Sequence, residues 1–140
     1  PRVRRAQRLI ALDTSILARL LLRDNPAEER AAAEFIGRNS CLVGWTVLIE
    51  LCWVLERSAR LPLDQVVSGL AMLAEIDTIT LPDEAAFAWA LARYAEGADF
   101  PDMVHIATAV GQAYQFATFD KKMARQAGTD APVSILTLKA

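Results

Sequence analysis

Five carboxylates sit where an α/β chain could put them to chemical use. Asp13 follows the short apolar run Arg8-Leu9-Ile10-Ala11-Leu12, which reads as a buried strand, and Asp120 follows a second such run, Gln115-Phe116-Ala117-Thr118. Asp99 and Asp102 fall at the start of a helix, and Glu50 lies one turn into another, between Ile49 and Leu51. In open α/β sheets, ligands bind beyond the carboxyl ends of the strands, so Asp13 and Asp120 are expected at that edge. Gathered carboxylates repel: two unit charges 4 Å apart cost about 4 kcal/mol at an effective dielectric near 20. A cation, or protonation of some of them, has to relieve that. Oxygen-only donors suit Mg²⁺ or Mn²⁺. Such ions keep waters and accept phosphate oxygens, the arrangement for phosphodiester hydrolysis.

Each acid alone has an ordinary explanation. Asp13 and Asp120 suit helix starts, Asp99 and Asp102 suit a helix dipole, and Glu50 suits a solvated helix margin. The joint pattern carries the reading. His105, three positions after Asp102 among Val104, Ile106 and Ala107, reads as a partly buried, hydrogen-bonded histidine rather than a general base. Trp45, Trp53 and Trp89 have apolar neighbours and read as core or dimer-interface residues rather than platforms for bases.

The elements around these residues alternate. Strands are expected near residues 8–12, 41–43, 78–81, 115–118 and 133–136, separated by helices. Asn25 precedes Pro26 and an Ala/Glu-rich helix to Arg38; Thr46 is expected to cap the helix carrying Glu50; Gly97 closes an Ala-rich helix; Asp99-Phe100-Pro101-Asp102 opens one running to about Ala113. Short strands alternating with helices imply a mainly parallel sheet covered on both faces. With 140 residues and no repeat or linker, one domain over residues 1–140 is expected.

Composition narrows the function classes. The net charge of −2 lacks the strongly basic balance of a typical nucleic-acid-binding domain, so arginines at a cleft rim would have to hold a polyanion. Candidates are Arg19, Arg23, Arg57 and Arg60. Two cysteines, Cys41 and Cys52, and a single histidine argue against a disulfide scaffold or a Cys/His zinc site. The thiols read as buried residues of a reducing compartment. No stretch has the roughly 20 apolar residues of a membrane span. The basic start Pro1-Arg2-Val3-Arg4-Arg5 is followed by too short an apolar run for a signal peptide, so a cytoplasmic location is expected, as is an initiator Met removed or trimmed ahead of Pro1.

The segments Ile10-Ala11-Leu12-Asp13-Thr14-Ser15-Ile16-Leu17, Thr46-Val47-Leu48-Ile49-Glu50-Leu51, Gly97 through Ala107 and Ala117-Thr118-Phe119-Asp120-Lys121-Lys122 resemble, in order, the four acidic motifs of PIN-domain nucleases, especially VapC-type toxins. Pro101 stands where the family's third motif has a small residue. Proline fits the first turn of a helix, where its missing N–H would lack a partner anyway, so the change is compatible with Asp99 as N-cap.

The resemblance implies a three-layer α/β/α sandwich around a five-stranded parallel sheet of order 3-2-1-4-5. It implies that Asp13, Glu50, Asp102 and Asp120 form the metal-binding, catalytic cluster, with Asp99 beside it. Ser15 and Thr118 would support the carboxylates by hydrogen bonds. The implied activity is Mg²⁺- or Mn²⁺-dependent endoribonuclease. The implied partners are RNA, a cognate antitoxin that enters the acidic cleft, and a second copy of the chain. A catalytically silent module gripping a basic peptide is the alternative. A receiver-type phosphoacceptor would need paired acids after the first strand. A haloacid dehalogenase-like phosphatase would need an acid two positions past Asp13, where Ser15 stands.

Overall fold

A computed structural model describes residues 8–138, so the basic start read at Pro1–Arg5 lies outside the described residues. The chain divides into two compact units, Pro1–Glu84 and Ala85–Ala140.

In the first unit, β1 (Ile10–Ala11), β2 (Cys41–Leu42) and β3 (Ile79–Thr80) form a parallel sheet in the order β1-β2-β3. Backbone bonds extend the ladder past the strands, with Leu12 N donating to Leu42 O at 2.9 Å and Val43 N to Thr80 O at 3.1 Å. Helices α1 (Thr14–Leu22), α2 (Pro26–Arg38), α3 (Trp45–Trp53) and α4 (Leu63–Ala74) connect and cover the strands. Asn25 caps α2 by accepting the Glu28 amide at 3.2 Å, with Pro26 in the first turn, where its lack of an N–H costs nothing. The apolar stripes of α1, α3 and α4 meet in a core of Leu17, Leu48, Leu51, Leu55, Val66, Leu70 and Leu73, each fully buried. Beyond Trp53 the chain stays helical but widens into a π turn over Val54–Ser58, closed by Ala59 N donating to Val54 O at 2.9 Å.

In the second unit, α5 (Glu84–Ala95), which begins at the division, leads to α6 (Phe100–Ala109), β4 (Phe116–Thr118), α7 (Lys121–Ala127) and β5 (Val133–Ile135). Strands β4 and β5 pair in parallel. Phe100 is buried and meets Phe87 and Tyr94 edge-on, with ring centroids 6.4 and 5.6 Å away. This aromatic cluster anchors the first residue of α6, and so the turn that carries Asp99 and Asp102.

The α/β class and the parallel pairing agree with the sequence reading. The observed orders, β3-β2-β1 in one unit and β4-β5 in the other, agree with 3-2-1-4-5 on either side of its 1–4 step. Several local expectations change. The strands hold two or three residues rather than four or five. The two residues of β1 are exposed rather than buried, and Leu12 just beyond them turns into the core. Gly44, not Thr46, is the N-cap of α3, and α6 ends at Ala109 rather than near Ala113. Trp53 is 53% exposed, and Trp45 and Trp89 are half-buried, so none of the three is a core residue.

Candidate metal-binding acidic site

Asp13 is the N-cap of α1. Its Oδ2 accepts the Ser15 hydroxyl at 2.7 Å and, more loosely, the Ser15 amide at 3.4 Å. The Ser15 hydroxyl bond, followed by the Ser15 amide, holds the Asp13 carboxyl below its ordinary value of 3.8. The expected supporting role of Ser15 is therefore met by a direct bond. Glu50 lies on α3, which packs against α1, and is exposed. An exposed glutamate between Ile49 and Leu51 follows from helical geometry: the core face of α3 is taken by Leu48, Leu51 and Cys52, and Glu50 falls outside that stripe.

In the second unit, Asp99 is the N-cap of α6 and accepts the Asp102 amide on Oδ1 at 2.9 Å. Phe100 and Pro101 fill the first turn between them, as the compatibility of Pro101 requires. Asp120 is the N-cap of α7 and accepts the Met123 amide on Oδ1 at 3.1 Å. The Thr118 hydroxyl accepts the Asp120 amide at 3.0 Å, so Thr118 fixes the backbone of that acid rather than its carboxylate. Gln126, in the last turn of α7, ties that helix to the start of α6. Its Oε1 accepts the Asp99 amide and its Nε2 donates to Gly97 O, both at 3.4 Å.

Asp102 has the most strained ionisation. Its carboxyl is raised above 3.8, first by desolvation, then by the negative charges of Asp99 and Asp120, with His105 working the other way. The second unit thus brings Asp99, Asp102 and Asp120 within electrostatic reach of one another. His105 is exposed rather than partly buried. Its apolar neighbours in sequence point elsewhere, because adjacent helical residues do not share a face.

Among the described residues, none of Asp13, Glu50, Asp99, Asp102 and Asp120 is in an ion pair, whereas Asp24, Glu28 and Glu29 pair with Arg19 and Arg23. Arg19 and Arg23, two of the candidates to hold RNA, thus already have acidic neighbours. Among the described residues, no three His, Cys, Asp or Glu side chains already converge on a metal position. The donor set nonetheless fits a hard divalent cation in its chemistry, since every candidate is a carboxylate oxygen, and the helix-cap bonds fall on Oδ2 of Asp13 and on Oδ1 of Asp99 and Asp120.

Parallel strands with acids capping the helices after β1 and β4 make this an α/β protein whose Asp13 and Asp120 follow the carboxyl ends of strands, where such sheets bind ligands. The PIN domain family model matches residues 10–129, and the chain belongs to that family. Its members are generally metal-dependent nucleases. Neither a curated protein nor a solved structure matches the chain.

Proposed function

We propose that this protein is a Mg²⁺- or Mn²⁺-dependent endoribonuclease, the toxin of a toxin–antitoxin pair, working in the cytoplasm as a single PIN-like domain. The observation that carries the reading is the group of Asp99, Asp102 and Asp120 around the starts of α6 and α7, in no ion pair among the described residues. The family match extends from before Asp13 to beyond Asp120 and so takes in all five acids.

In this reading Asp13, Glu50, Asp102 and Asp120 hold the metal, directly or through water, with Asp99 beside them. The ion, when bound, lowers the pKa of a coordinated water and neutralises charge on the phosphate. The chain's own residues have distinct tasks. Asp13 stays ionised to low pH through its Ser15 bond, so it is a standing anionic ligand. Asp102, destabilised as an anion by its neighbours, gains most from a cation. The exposed Glu50 carboxylate orients the attacking water and takes its proton.

Buried thiols at Cys41 and Cys52 support a reducing compartment, and among the described residues no helix is long and apolar enough to cross a membrane. A homodimer is supported by large apolar residues left exposed in the second unit, with Val110 at 58%, Phe119 at 63% and Tyr114 at 90% exposure. The antitoxin rests on the motif resemblance, and co-purification with the product of the adjacent reading frame tests it.

The deciding experiment is cleavage of an end-labelled single-stranded RNA with Mg²⁺ or Mn²⁺, with chelator and Asp102→Asn controls. Cleavage that the chelator abolishes and Asp102→Asn lowers at least a hundredfold is expected. A wild-type protein that binds a basic peptide but cuts no RNA with either ion overturns the enzyme in favour of a silent binding module.

A further inference from the structure

Helix α3 and the π turn that continues it present an unusual outer face. The residues that turn away from the core, Thr46, Glu50, Trp53, Arg57 and Arg60, are all exposed. Leu48, Leu51, Cys52 and Leu55 occupy the buried face. Glu50 and Trp53 are three residues apart and Trp53 and Arg57 four, so they are neighbours along one side of the helix. Arg60 follows in the left-handed conformation, φ 53°, where the helical run ends. The strip therefore starts at the Glu50 carboxylate and leads through an exposed indole to two guanidinium groups.

The unit's arginines fall into two groups, Arg19 and Arg23 beside acids, and Arg8, Arg30, Arg38, Arg57 and Arg60 in no ion pair among the described residues. Arg19 sits 2.8 Å from Asp24 and 3.6 Å from Glu28, and Arg23 lies 3.5 Å from Glu29. Among the described residues, Arg57 and Arg60 are in no ion pair. An exposed aromatic ring with exposed arginines further along the same side is the equipment of a single-strand nucleic-acid platform: bases stack on the ring and phosphates are met by the cations.

We propose that Trp53, Arg57 and Arg60 form the substrate-holding strip for single-stranded RNA, stacking a base on Trp53 and placing its neighbouring phosphates on Arg57 and Arg60, one helical turn from Glu50. The proposal rests on the nuclease reading for its substrate, and it assigns the residues that hold it.

The test measures binding of a fluorescently labelled single-stranded oligoribonucleotide to the whole chain in chelator, so that no cleavage enters. Trp53→Ala is expected to weaken binding about tenfold or more, the loss of one stacked base, while Trp53→Phe keeps most of the affinity. The Arg57→Gln/Arg60→Gln double variant is expected to lower the salt dependence of log K by about 1.4, at about 0.7 per lost single-strand phosphate contact. A duplex RNA is expected to bind more weakly than the single strand.

Wild-type affinity and salt slope in Trp53→Ala and in the double variant would overturn the strip, as would a wild-type protein that binds no RNA. A Trp53→Ala variant that sediments as a monomer where the wild type is a dimer, with RNA affinity unchanged, would overturn it in favour of self-association. The nuclease reading fails separately: RNA binding through the strip with no cleavage in Mg²⁺ or Mn²⁺ leaves the strip standing and removes the enzyme.

Discussion

The Asp99 carboxylate accepts the amide of Asp102 at 2.9 Å, and the same negative charge pushes the Asp102 carboxyl above its ordinary value. One acid thus builds the turn that presents the other while opposing its ionisation. Asp120, capping the next helix, adds to that opposition. Such an arrangement stores a penalty that a bound cation relieves.

The penalty predicts how stability changes with pH. A carboxyl whose folded pKa is raised binds more protons folded than unfolded, so its contribution to stability falls as pH rises from 3.8 through the raised folded value. Asp102→Asn removes that contribution. The variant is expected to melt above the wild type at neutral pH, with the gap closing below pH 3.8. Mg²⁺ should raise the wild-type Tm more than that of the variant. Calorimetry across pH with and without Mg²⁺ checks both, and a variant that melts below the wild type at neutral pH would assign Asp102 a purely structural role.

Asp13 works in the opposite sense. Its carboxyl is lowered, chiefly by the Ser15 hydroxyl, so its stabilisation is full above the unfolded pKa and is lost as pH falls through the depressed folded value. Ser15→Ala is expected to bring the Asp13 pKa back up towards 3.8 and so to shrink the stability that this carboxyl contributes above 3.8 and loses on acidification. Carboxylate NMR titration reads the shift directly. An unmoved Asp13 would mean the 2.7 Å bond does not govern its ionisation.

The parts of the site legible in the sequence were those set by local chemistry. Aspartate before a helix reads as a cap, and Asp13, Asp99 and Asp120 are all caps. Pro101 fits because the first helical turn tolerates a missing donor. Features that depend on which way a helix is turned were not legible. Trp53 and His105 have apolar sequence neighbours, yet both face outward, because the core claims residues three and four apart rather than adjacent ones. Gly44 caps α3 without a side-chain bond, so nothing in its chemistry announced the boundary two residues before Thr46. The π turn at Val54–Ser58 left no composition signal, since its residues suit an α-helix equally well. The Gln126 tether joins residues far apart in sequence, where no spacing rule reaches.

That tether gives a positioning prediction. Gln126 is the side chain that holds the Gly97–Asp99 backbone against α7 from both its donor and its acceptor ends. Gln126→Ala is expected to leave the fold intact and to lower RNA cleavage about ten- to a hundredfold, because small misplacements of reacting groups cost about that much. The loss should lie in kcat, with RNA affinity in chelator unchanged. Wild-type kcat in this variant would show that the capping bonds of Asp99 and Asp120 alone hold the acids in place.

Asp120 lets capping be separated from chemistry in one residue. Its Oδ1 accepts the Met123 amide at 3.1 Å, and asparagine can make the same bond with its side-chain oxygen. Asp120→Asn is therefore expected to keep α7 and the Tm near wild type. Asp120→Ala removes the acceptor and is expected to cost about 1 kcal/mol of stability, a typical value for a lost N-cap. For cleavage the two variants should behave alike, since each removes the negative charge, and both are expected to fall at least a hundredfold with Mg²⁺ present. Thermal melts and cleavage rates of the two proteins, measured side by side, separate the roles. If Asp120→Asn cleaves like the wild type while Asp120→Ala does not, the residue matters only as a cap, and the metal is held by the other acids.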